Sequence, residues 1–219
     1  MRSTRRSFLE QAAGCAVIAQ AGATFAAGEK TPRTGGDLLS RMSWLNPPAA
    51  EHFSDGALTV RSKGKTDFWR KTFYGYITDN GHFMYLPTLG EFTLQARVNG
   101  NYAALYDQAG LMVRLDEKHW MKCGSEYVEG KRWASVVFTH DYSDWSTMED
   151  LSQTGAVWWR VVRKKDSIEA QCSKDGEKFT TLRQGYFPAD VKVMAGLMCA
   201  APEGAGFDAV FDQLTLEMA

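Results

Sequence analysis

Apolar and polar residues alternate with a period of two through most of the chain. "EFTLQARVNG" sets Phe92, Leu94, Ala96 and Val98 on one side and Thr93, Gln95 and Arg97 on the other. "RWASVVFTHD", "GAVWWRVVRKKD" and "SIEAQCSKDGEKFTTL" repeat the pattern. Side chains two apart share one face of a strand, so each run predicts a strand with one buried side. The runs recur about every ten residues with turn residues between them, about a dozen strands in all and no alternation with helices. Asp175-Gly176 and Asn80-Gly81 supply the positive φ of tight hairpin turns. In "GFDAVFDQLTLEM", Phe207, Ala209 and Phe211 share a face. A parity shift near Gln213 brings Leu214 and Leu216 onto it, as a β-bulge would. Two stacked antiparallel sheets in jelly-roll order accommodate this pattern. Residues 146–154 are the one stretch where a helical turn is expected.

One region has more polarity than a wetted outer face requires. In "YDQAGLMVRLDEKHWMKCGSEYVEG", Ala109, Leu111, Val113 and Leu115 alternate with Gln108, Met112, Arg114 and Asp116. Further on, Met121, Cys123 and Tyr127 take the core side, which directs Trp120, Lys122 and Glu126 outward. Asp67 and Trp69 share a face in "TDFWR"; Ser135, Thr139 and Asp141 share one in "WASVVFTHD"; Ser143, Asp144 and Trp145 follow.

The N-terminus changes where this domain is expected to work. "MRSTRRSFLEQAAGCAVIAQAGATFAAGEK" resembles a twin-arginine export signal, with Arg5 and Arg6 ahead of a weakly apolar run to Ala27. That run is too short and too Gly-rich to span a bilayer stably; the competing reading is an amphipathic N-terminal helix. The expected layout is a signal over 1–27, a linker over 28–40 and a single β-sandwich domain over 41–219, working in a periplasm or outside the cell. Losing Arg2, Arg5, Arg6 and Glu10 from the 25 basic and 26 acidic residues leaves 22 and 25, a net charge of −3. That balance argues against a nucleic-acid partner and against electrostatic attachment to a membrane. The roughly 190 remaining residues suffice for one sizeable core. They retain Cys123, Cys172 and Cys199. An odd count with no CxxC spacing reads as small buried hydrophobes, with a Cys172–Cys199 bridge as the alternative. His52, His82, His119 and His140 are scattered, and neither a metal site nor a cofactor is expected.

Several fragments in order carry a family resemblance: "WLNPP" near Trp44, "TDFWRKTFYG" from Thr66, "YDQAGLMVR" from Tyr106, "HWMKCGSEY" from His119, "SDWS" from Ser143, "SKDGEKF", and "AGLMCAAPEGAGFDAVF". Together they resemble domain-of-unknown-function family 1349, the regulation-of-enolase-like family, over nearly the whole chain after the leader. The resemblance implies a concanavalin A-like lectin/glucanase sandwich, a fold whose relatives are appended to glycoside hydrolases and whose curved sheet commonly holds sugars. It assigns no catalytic residue.

A glycan is therefore the expected partner. Aromatic rings stack on pyranose faces and planar polar groups bond the hydroxyls, each bond contributing only about 0.5–1.5 kcal/mol, so several must act together. Asp67, Trp69, Gln108, Arg114, Trp120, Lys122, Glu126, Asp144 and Trp145 are the candidate ligand-binding residues, projecting into a bowl open to water. The competing structural reading makes the Trp residues lids on the core and pairs Arg114 with Asp67 or Glu126. A hydrolase or lyase reading needs two carboxylates about 5–9.5 Å apart. Glu126 and Glu129, like Asp141 and Asp144, are three apart and fall on opposite faces of a strand, which leaves Glu126 with Asp67 across neighbouring strands. A non-enzymatic interaction or regulatory module is the third reading.

Overall fold

A computed structural model describes residues 33–149 and 153–219. The leader expected over 1–27 lies outside the described residues. In chain order the elements are β1 (Arg33–Thr34), α1 (Gly35–Ser40), β2 (Ser43–Leu45), β3 (Ala50–Ser54), β4 (Ala57–Arg61), β5 (Phe68–Arg70), β6 (Ile77–Asp79), β7 (His82–Thr88), β8 (Phe92–Gly100), β9 (Gln108–Arg114), β10 (His119–Val128), β11 (Lys131–His140), β12 (Tyr142–Glu149), β13 (Val157–Lys164), β14 (Ser167–Ser173), β15 (Thr180–Tyr186), β16 (Val193–Ala200) and β17 (Asp208–Met218). The back sheet has eight strands, ordered β15-β14-β13-β8-β17-β4-β3 with β1 also on β17. The front sheet has seven, β12-β11-β10-β9-β16-β7-β2, and β5-β6 form a separate ribbon. Ladders between the named strands are antiparallel, which is the jelly-roll sandwich that the alternation predicts.

The main core lies between the sheets. Phe92, Leu94, Ala96 and Val98 of β8 and Val157, Trp159 and Val161 of β13 meet Leu111 and Val113 of β9, Met121 and Cys123 of β10, and Val136 and Phe138 of β11. The parity change in β17 is a true bulge: the register shifts between Asp212 and Thr215, and Gln213 has φ 51°. Cys123, Cys172 and Cys199 are buried free thiols, so no Cys172–Cys199 bridge exists. Burial pushes the Cys199 thiol up to about 12, leaving it a neutral small hydrophobe.

A second core lies on the other face of the front sheet, where solvent was expected. Phe68, Trp69, Phe83, Met112, Trp120, Val137 and Met198 pack there, and every residue of β9 is buried irrespective of parity. The reason is the segment 66–81, which folds back across β9, β10 and β11 and carries the β5-β6 ribbon. Asn80-Gly81 is accordingly not a hairpin: β6 pairs with β5, whereas β7 pairs with β2 and β16. Gly81 carries the chain from ribbon to sheet directly under Phe68. A Cβ at Gly81 would sit 2.4 Å from the Phe68 ring. Two other local expectations change. Residues 33–40, expected as linker, form β1 on β17 and α1, whose Leu38 and Leu39 are buried in the main core. Of residues 146–154, expected to hold a helical turn, 146–149 belong to the strand Tyr142–Glu149 that edges the front sheet, and 150–152 lie outside the described residues.

Candidate functional site

The front sheet places several of the expected side chains with its ladder. Glu126 pairs with Gln108, Lys122 with Met112 and Val137, and Val137 with Trp145, so Gln108, Lys122, Glu126, Val137 and Trp145 project from the same face. Between the Lys122 and Glu126 rungs, Gly124 faces Gly110. A Cβ on Gly110 would lie 1.9 Å from the Cys123 carbonyl oxygen. These glycines keep the floor between the two charged rungs low.

The cover completes the site from above. Asp67 Oδ1 accepts from its neighbour Phe68 N (2.7 Å), from Lys122 Nζ (3.2 Å) and from Gln108 Nε2 (3.3 Å). Lys122 Nζ also donates to the Phe68 carbonyl (2.8 Å), so its charge is engaged on two sides. Glu126 is buried and no cation among the described residues lies within ion-pair distance of it. Its Oε2 accepts from Trp145 Nε1 (3.0 Å), which is shared with Ser135 Oγ (3.1 Å). Burial raises the Glu126 pKa above its ordinary value, and Asp67 adds to this; Lys122, Ser135 and Trp145 act in the opposite direction.

Trp69, Tyr74, Tyr76, Tyr106 and Trp145 wall this polar floor, leaving about 340 Å³ of free space that continues into solvent. Tyr74 and Tyr106 join by their hydroxyls at 3.1 Å, linking the tip of the cover to the loop before β9. That bond, with burial second, raises the Tyr106 phenol to about 12. Tyr74 and Tyr76 were not among the sequence candidates. Their signal was the density of aromatics in "DFWRKTFYGYI", a stretch with no strand alternation to say where they point.

The expected bowl is thus a small, capped pocket. Asp67, Trp69, Gln108, Lys122, Glu126 and Trp145 come together at it; Arg114, Trp120 and Asp144 do not. Arg114, with a side chain 6% exposed, forms a two-pronged pair with Asp79 (2.5 and 2.8 Å) and lies over the Phe68 ring. Its partner is neither Asp67 nor Glu126, and its work is to hold β6 down. Trp120 is 1% exposed beneath Phe68, 6.3 Å between ring centres. Asp144 is 75% exposed and pairs with Arg183 at the edge of the front sheet. Asp141, by contrast, pins the cover: Arg70 and Lys71 bond it at 3.0 and 2.5 Å, and Arg70 N donates to Ser143 Oγ. His82, His119 and His140 each make local hydrogen bonds. His82, for example, is buried between the Asn46 carbonyl and the Lys63 N–H.

Fold and pocket together define a class: a jelly-roll β-sandwich of two antiparallel sheets whose front sheet carries a capped, aromatic-walled pocket. More particularly, the chain belongs to the family described as protein of unknown function (DUF1349), which matches residues 44–219. It is 40% identical over 178 residues to Regulation of enolase protein 1 of Saccharomyces cerevisiae, spanning 81% of this chain and 90% of the yeast protein. A crystal structure described as a functionally unknown protein from Saccharomyces cerevisiae superposes with a TM-score of 0.79 at 39% identity, over 83% of this chain and 98% of that one. The GH43 protein BlXynB of Bacillus licheniformis superposes with a TM-score of 0.65 over 80% of this chain and 37% of its own, at 15% identity, a likeness of fold alone.

Proposed function

We propose that the capped pocket binds a single saccharide ring, the end of a glycan rather than a stretch of its middle. The observation that carries this reading is the convergence of Tyr74, Tyr76, Tyr106 and Trp145 around the buried Asp67, Gln108, Lys122 and Glu126. Rings that stack on a pyranose and planar groups that bond its hydroxyls are both present, in a small pocket that opens to solvent. Titrating monosaccharides while following Trp145 fluorescence tests it. Saturable quenching that Trp145→Ala removes without a change in far-UV circular dichroism is the expected result, and no response from any sugar refutes it. An exported location remains part of this proposal, resting on Arg5 and Arg6; replacing both by Lys is expected to leave the protein in the cytoplasmic fraction.

A raised carboxyl facing a ligand pocket also favours a hydrolase reading. Glu126 would donate a proton to the leaving oxygen while Asp67, paired with Lys122, faces it from the cover. Release of reducing ends from an oligosaccharide, lost in Glu126→Gln, distinguishes catalysis from binding. A regulatory, protein-binding reading draws on the yeast relative's name and on Phe73, 92% exposed at the tip of the cover. For it, Phe73→Ser would abolish association with a protein partner and leave the sugar titration unchanged.

A further inference from the structure

The charges in the pocket do not balance. Two carboxylates, Asp67 and Glu126, face one ammonium, Lys122, and Lys122 is bonded to Asp67 and to the Phe68 carbonyl. Among the described residues, Glu126 receives hydrogen bonds only from neutral groups, the Trp145 indole and the Ser135 hydroxyl. The walls match that imbalance: Trp69, Tyr74, Tyr76, Tyr106 and Trp145 present π-systems, whose faces attract cations. The Tyr76 and Tyr106 phenols keep their protons. Burial first, and then the Asp67 carboxylate, raises Tyr76; the Tyr74 hydrogen bond first, with Glu126 among the later causes, raises Tyr106. Both phenols therefore stay neutral, and their rings remain available to a cation.

We infer that the ring accepted here carries a protonated amine, as an amino sugar does, and that the amine is the counter-ion Glu126 lacks. This rests on the saccharide reading above and narrows it. The ammonium would enter beneath the Tyr76 and Trp145 rings and donate to Glu126, completing two carboxylates with two cations. A small gap over Gly124, between Gln108, Lys122, Glu126 and Ser135, has room for one group about the size of a water molecule, as an ammonium is. A neutral hydroxyl at the same place leaves the Glu126 charge uncompensated. A hydrogen bond to a charged group exceeds a neutral one by enough to give about a tenfold preference.

The experiment is calorimetric titration of the wild-type protein with glucosamine, glucose and tetramethylammonium, at a pH below the sugar amine's own pKa. Glucosamine is expected to bind about tenfold more tightly than glucose, and in Glu126→Gln, checked for folding by circular dichroism, the two sugars are expected to bind with equal affinity. Glucose binding as tightly as glucosamine overturns the inference and leaves the saccharide reading standing. Tetramethylammonium binding as tightly as glucosamine upholds the cation and removes the sugar. No binding by any of the three overturns both readings.

Discussion

Replacing Trp120 with alanine removes an indole that is 1% exposed and sits between the front sheet and Phe68 of the cover. The space it leaves is walled by strand backbone below and by a ribbon pinned at Asp79 and Asp141 above, so the surroundings have little freedom to close in. Large-to-small changes at such sites cost about 3–5 kcal/mol, and for a domain of this size each 1 kcal/mol lowers Tm by about 2–4 °C. Trp145→Ala provides the contrast. That ring is 39% exposed on the pocket wall, and its loss is mainly one hydrogen bond to Glu126 and part of a stacking surface, about 1 kcal/mol. Urea unfolding followed by circular dichroism at 222 nm (a generic backbone readout, roughly two-state for one core) separates the two. Trp120→Ala should shift the midpoint far more than Trp145→Ala, while Trp145→Ala should be the more damaging to ligand titration. The reasoning fails if Trp120→Ala loses less than about 1 kcal/mol yet abolishes binding, for then the ring would be meeting ligand and not holding the cover.

Glu126→Gln should stabilise the protein at neutral pH, because the folded carboxyl holds its proton more tightly than its usual 4.5 and ionising it opposes folding. The advantage of the Gln variant should shrink as pH falls through the folded value toward 4.5; a constant gap across that window would contradict the cause given. His82 has the reverse sign. Burial is the first cause lowering its pKa below 6.5, and its neutral ring donates from Nδ1 to Asn46 and accepts Lys63 N–H at Nε2. Its contribution is complete above 6.5 and disappears as pH falls through the folded value, so His82→Gln should flatten that part of an unfolding-midpoint profile. Gly81→Ala drives a methyl against the Phe68 ring at 2.4 Å and should cost about 1–3 kcal/mol, with faster amide exchange in 66–79 than in the sandwich strands. Uniform exchange across both would show that cover and sandwich open as one.

Period-two patterning was enough to read the sandwich, the inward residues of β8 and β17 and the bulge at Gln213, because all of these depend on neighbours along the chain or on one buried side. It was not enough for the second core. Parity says that Trp120, Lys122 and Glu126 leave the main core, and they do; it is silent on what lies over them. The cover is held by pairs distant in sequence, Arg114 with Asp79 and Arg70 with Asp141, and its own ribbon is only three residues a strand. The surplus polarity around Gln108 and Lys122 was the legible trace, and the aromatics from Trp69 to Tyr76 were its counterpart. Residues 33–40 escape the pattern for a related reason: two glycines disguise a helix whose Leu38 and Leu39 are buried in a core built by distant strands.

The way the cover is fastened has a consequence for how such a pocket diversifies. Its anchors lie at Arg70, Lys71 and Asp79, and the stretch between them turns through positive φ at Lys71, Phe73 and Gly75 without joining either sheet. Residues 72–76 can therefore be rewritten with small consequences for folding and large ones for what is admitted. Changes confined to this tip should alter which ligand enters before they alter whether the chain folds.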